Sequence, residues 1–162
     1  MSKIKAKRVF AFYWQAIRSY RWSLLIISIG VPLASLTNNV LPPLVLARVL
    51  DRLSRQDYVA NEPWQSFQNE ILIYVGLGLL ASFVLWRIVD MTVWRLEGKV
   101  QRDLAQKVYG HLIEQSADFH ANHFGGSLVS QNNKLLTSYV RITDTTIFGV
   151  LPLITGVLAA AV

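Results

Sequence analysis

The chain has 162 residues, of which 52% are apolar and 16% charged, with a formal net charge of +6. Soluble domains carry about 25% charged residues, so an ordinary soluble domain fits this composition poorly. There is no cysteine, which excludes disulfides and thiolate metal sites.

The first 21 residues hold Lys3, Lys5, Lys7, Arg8, Arg18 and Arg21 and no acid. Residues 4–18 read as an amphipathic helix, with Phe10, Tyr13 or Trp14, and Ile17 at helical spacing between the cations, suited to the inner membrane interface. A plain basic flank is the simpler alternative. A nucleic-acid arm is set aside, because these cations directly abut a hydrophobic run and have an ordinary role there. No nucleic-acid partner is expected.

Trp22 to Ala47 contains no charge across 26 residues. As helix this spans about 39 Å, more than the roughly 30 Å of a bilayer core. It is a poor signal peptide, being too long, interrupted by Pro32 and followed by no small-residue cleavage site. Ile71 to Trp86 and Thr145 to Val162 are two further uncharged runs. The stretch between the first two runs, Arg48 to Glu70, has three basic and four acidic residues. Lys/Arg bias therefore puts the N-terminus in the cytoplasm and this loop outside. In the second run, Gly78 and Ser82 form a small-xxx-small pair or are simple filler. Arg87 and Asp90, at its inner end, are spaced to pair on one face.

"WRLEGKVQRDLAQKVYGHLIEQSAD" follows without proline or a turn cluster. Leu96, Val100, Leu104, Val108 and Leu112 recur every four residues, a helical stripe that winds slowly round the axis. The second span is therefore expected to continue into the cytosol as one helix to about Ser116. Gly98 and Gly110 each weaken it by about 1 kcal/mol, so packing of the stripe must compensate. "DFHANHFGGSLVSQNNK" then interrupts it. Gly125 and Gly126 are expected to supply left-handed turn conformations. A new helix should begin at Ser127 with Leu128, Leu135, Leu136 and Ile142 on its packed face, leading into the third apolar run. That run ends at Val162 in mid-pattern, which reads as the N-terminal piece of a longer protein. The fold class expected is an all-α membrane protein whose long helices extend into the cytosol and are joined by a short transverse helix.

These stretches resemble the transmembrane domain of six-span ABC exporters. "SYRWSLL" looks like the entry to that family's first span after an elbow helix. In "LPPLVLARVLDRL", Pro42 and Asp51 fit the pattern at the outer end of the first span. "GKVQRDLAQKVYGHLIEQ" is similar to the extension of the second span. In "FHANHFGGSLVSQ", Phe119, Gly126, Leu128 and Ser130 match, whereas His120, Ala121, Gln131 and Leu135 depart from the customary aromatic, Asp, Arg and Asp. The resemblance implies an elbow helix at about 4–18, span 1 at about 22–50, span 2 with its extension at about 70–116, a coupling segment at about 117–126 and the start of span 3 at about 127–162. It further implies an ATPase domain, on the same polypeptide or a separate chain, that would bind ATP and Mg. A second transmembrane half would complete a homodimer or heterodimer in the plasma membrane. No G-x-x-x-x-G-K-[ST] occurs in this chain, so no cofactor or catalytic residue is assigned to it.

Two stretches are candidate sites. Asp118, Phe119, His120, Ala121, Asn122 and His123 would couple to the ATPase domain. Glu114, Asp118 and Asn122 share a four-residue spacing, and Phe119 offers an aromatic anchor. Asn38 and Asn39, in the outer half of the first span, would line the substrate pathway or hydrogen-bond neighbouring helices. His111, His120 and His123 read as ordinary polar histidines, because no second ligand cluster accompanies them. The rival function is a membrane sensor or receptor whose helices extend into the cytosol. It explains the long helix but not the return into a third span.

Overall fold

A computed structural model describes residues 3–59, 61–116, 119 and 125–161. The described residues form helices and no strands: α1 (Lys3–Ile17), a 3-10 turn (Arg18–Tyr20), α2 (Arg21–Ser35), α3 (Leu41–Ser54), α4 (Pro63–Leu79), α5 (Trp86–Ile113), α6 (Gly125–Asp144) and α7 (Leu151–Ala160). They run together into three continuous helices, Arg8–Ser54, Pro63–Ile113 and Gly125–Ala160. Each is long and apolar enough to cross a bilayer. Only 6% of the most apolar window is buried in the second and third, so their apolar surface is not covered by this chain. This is an all-α fold of membrane type.

Each long helix contains one π-helical turn: Leu36–Val40, Leu80–Leu85 and Thr145–Val150. Proline accounts for two of them. Pro42 and Pro43 lack the N–H groups that Asn38 and Asn39 would accept, and Pro152 does the same to Phe148. A wider turn just upstream relieves the ring clash. In the first, the Leu41 N–H reaches back to the Leu36 carbonyl. The middle turn has no proline; the Trp86 N–H bonds to the Ala81 carbonyl.

The chain divides into two units. The first comprises residues 1–25 and 92–146. Leu96, Val100 and Leu104 of the four-residue stripe are buried on α5, as is Val93 before it, while Val108 and Leu112 are only half-buried. Tyr13 and Ala16 are buried on α1, and Asn132 and Tyr139 on α6. The Tyr13 and Tyr139 rings meet at 5.7 Å, a tilted pair. Helix α1 resolves the choice between its aromatics: Tyr13 packs inward, whereas Phe10 and Trp14 are exposed.

The second unit comprises residues 26–91 and 147–162. Ile27, Val31, Ala34, Ala81, Val89 and Ile147 are buried in it. The turns Leu36–Val40 and Leu80–Leu85 pack on each other, and α7 packs on the first of them. A Cβ on Gly30 would stand 3.0 Å from Val89 Cγ2, so glycine permits this close approach. Trp86 stacks on Phe148 at 6.1 Å. Helix α3 ends in a Schellman motif, with the Asp57 N–H on the Arg52 carbonyl, the Gln56 N–H on the Leu53 carbonyl, and Gln56 at φ +55°. Arg52 Nη1 then donates to Glu70 Oε1 at 2.7 Å and to the Ser66 carbonyl at 2.8 Å, tying α3 to α4.

Three expectations need correction. Helix α6 begins at Gly125, not Ser127, and no described glycine has positive φ. The glycine pair opens the helix in the right-handed region instead of forming a left-handed turn. The packed face of α6 centres on Asn132 and Tyr139, seven residues apart, with Leu135 and Leu136 half-buried and Ile142 exposed. Arg87 and Asp90 form no ion pair among the described residues.

Candidate functional site

The two asparagines singled out from the sequence lie in the π turn Leu36–Val40 and are exposed. Asn38 Nδ2 donates to Asn39 Oδ1 at 3.0 Å, and Asn39 Nδ2 donates to Ser35 Oγ at 3.4 Å. Both bonds stay within one helix. Thr37, beside them, is buried and donates to the Leu33 carbonyl at 2.8 Å. The prolines thus do two things. They widen the helix, and they leave the Asn38 and Asn39 carbonyls without their usual α-helical donors. The result is a strip of amide and carbonyl polarity on an otherwise apolar helix.

Of the other candidate stretch, only Phe119 is among the described residues; Asp118, His120, Ala121, Asn122 and His123 lie outside them. Phe119 is half-buried, and its N–H donates to Ser116 Oγ at 3.3 Å. The flank before it is a helix end. Helix α5 stops at Ile113, and Gln115 Nε2 donates to the His111 carbonyl at 3.1 Å. The flank after it is α6 from Gly125.

A third polar locus was missed in the sequence. It lies in the first unit, outside the uncharged runs. Glu97 Oε1, Asn132 Oδ1 and the Tyr139 hydroxyl are buried without a hydrogen-bond partner among the described residues. Burial, then the neighbouring Asp144 carboxyl, pushes Glu97 up to about 7. Burial pushes Tyr139 up to about 12, and the nearby Thr143 side chain pulls against this without cancelling it. Close by, the Tyr20 hydroxyl donates to Asp103 Oδ2 at 2.7 Å, and Lys99 Nζ lies 5.8 Å from the Tyr20 ring centre. The signal was faint. Glu97 follows a stripe leucine directly, and Asn132 and Tyr139 repeat at a heptad spacing that a purely hydrophobic reading passes over.

Helical membrane architecture alone fits many families. The chain, however, matches the ABC transporter transmembrane region over residues 24–161. It belongs to that family. The match takes in all three uncharged runs except the ends of the first and last, together with the helical extension and residues 114–124 between α5 and α6. No curated protein and no solved structure matches the chain. As an ABC transporter transmembrane region, its long helices are elements of a transporter, and the polar strip at Asn38 and Asn39 is placed on one of them.

Proposed function

We propose that the chain is the leading part of the membrane domain of an ATP-driven exporter, a multi-pass protein of the plasma membrane with its N-terminus in the cytoplasm. The family match over residues 24–161 carries this reading. The Lys/Arg-rich first 21 residues supply the orientation, since they contain six cations and no acid. In this reading Asp118, Phe119, His120, Ala121, Asn122 and His123 seat on an ATPase domain, fused or separate, that binds ATP and Mg. A second membrane half, identical or different, completes the transporter. Nucleotide-driven closure of two ATPase domains pulls on residues 118–123, and α5 and α6 carry the displacement to the substrate pathway. Asn38 and Asn39 offer amide groups to that pathway.

The test is crosslinking in the assembled transporter, whose relevant background here is free of cysteine. Single cysteines replacing Asn122 or His123 should crosslink to surface cysteines on the ATPase domain. Phe119→Ala should leave membrane insertion intact and uncouple ATP hydrolysis from transport. Failure of every position from 118 to 123 to crosslink, with normal transport by Phe119→Ala, would reduce the stretch to a hairpin tip.

A further inference from the structure

Pro42 and Pro43 are the only adjacent prolines in the chain, and they stand four and five residues after Asn38. An α-helical turn would satisfy the Asn38 carbonyl from residue 42, and a π turn would do so from residue 43. Neither proline has an N–H to give. The nearest remaining N–H, that of Leu41, is committed to the Leu36 carbonyl. The side-chain hydrogen bonds of the turn end elsewhere: Thr37 donates to the Leu33 carbonyl, Asn38 to Asn39 and Asn39 to Ser35. The Asn38 backbone acceptor is therefore open in either helical register.

The setting decides what can close it. Thr37 and Pro42 are buried, whereas Asn38, Asn39 and Pro43 are exposed, so Asn38 lies on the side of the turn that its own unit leaves uncovered. Leu33, Leu41 and Leu44 are exposed around it and make the flanks apolar. The turn lies inside the uncharged run 22–47, where hydrocarbon offers no donor and the run itself brings no cation. We propose that the Asn38 carbonyl is a specificity-determining acceptor, which selects apolar cargo carrying an N–H or O–H donor. This rests on the reading of the first long helix as a wall of the substrate pathway.

The selection comes from an asymmetry of cost. A donor-bearing molecule gives up a hydrogen bond to water when it enters, and the carbonyl returns one. A molecule of the same shape without a donor expels water from the carbonyl and leaves it unpaired. The Asn38 side-chain amide holds both donors and an acceptor, so it adds contact without choosing between the two.

The experiment measures equilibrium binding to the full transporter in lipid nanodiscs, without nucleotide. The probes are N-decylacetamide and N-decyl-N-methylacetamide, which share tail and carbonyl and differ by one N–H. Saturable binding above that of protein-free nanodiscs should favour the first by about 2- to 10-fold. Pro43→Ala, at an exposed position, gives the π register its N–H back, and Pro42→Ala does so for the α register. Each should abolish the preference. Asn38→Leu removes the amide but keeps the open carbonyl, so it should weaken both probes and preserve their ratio. Because no ATP is present, failure of the coupling role of residues 118–123 leaves the preference standing, and loss of the preference leaves that role standing. Equal binding of the two probes by the natural protein, or a preference that survives both proline variants, overturns the proposal.

Discussion

The Tyr13 hydroxyl donates to the backbone carbonyl of Leu135 at 3.0 Å, across 122 residues of sequence. This bond and the ring contact with Tyr139 hold α1 against α6. Tyr13→Phe removes the hydrogen bond and keeps the ring. It should destabilise the protein by about 0.5–1.5 kcal/mol. Tyr13→Ala also deletes a buried ring and should cost about 3–5 kcal/mol. Thermal unfolding of the two variants in the same detergent checks the order. Equal losses would mean that the ring contributes nothing.

Gly30 is where a side chain has no room. Val89 is fully buried, and a β-branched side chain has little rotamer freedom with which to retreat. Gly30→Leu should cost about 1–3 kcal/mol through overpacking. Adding Val89→Ala should recover most of that loss. Denaturation of the two single variants and the double variant measures the coupling; additive effects would place the strain elsewhere.

Gln56 closes α3 at φ +55°, a conformation that burdens residues with a Cβ. Gln56→Gly should stabilise the hairpin by about 1 kcal/mol, since the left-handed region costs a non-glycine residue about that much. A raised unfolding temperature is the expected reading. A lowered one would show that the greater chain entropy of unfolded glycine outweighs the relief.

Glu70 is held below the usual carboxylate range by its own backbone N–H and by the Arg52 guanidinium. A depressed folded value means stability that is present above the unfolded value and lost as pH falls through the folded one. Arg52→Met should therefore lower the unfolding temperature at neutral pH and flatten its decline in acid. A decline as steep as that of the natural protein would mean that other carboxylates govern acid unfolding.

Leu104 is fully buried near the middle of α5. Leu104→Pro removes a helical hydrogen bond and sets the ring against the preceding turn, at about 3 kcal/mol or more. Loss of assembled protein on gel filtration is expected. Unchanged yield and stability would mean that this stretch tolerates a break.

Helices α5 and α6 and the polar locus show different limits of legibility. The reach of α5 was readable because nothing between Trp86 and Ile113 breaks a helix and the stripe keeps one period. The start of α6 was misplaced because paired glycines also fit a right-handed first turn, and only backbone angles separate the two readings. The face of α6 was misjudged because Ile142 counts as apolar in any periodicity, whereas the actual contact surface is set by where Tyr13 reaches. Glu97 was passed over because a lone acid beside a stripe is usually solvated. Only the packing of α5 within its unit buries its Oε1 atom.

By itself, then, the sequence determined that this protein is helical and built for a membrane. Long uncharged runs cannot be hidden in a small soluble core, and helical periodicity is a local property of the chain. The orientation proposed above rests on local charge bias alone. The tertiary structure decided which side of each helix is covered, that Gly30 must stay small against Val89, and that Glu97 Oε1 is buried without a hydrogen-bond partner among the described residues. Those outcomes come from contacts between segments distant in sequence, where the fit of one helix against another sets burial, and burial sets the cost of each polar group.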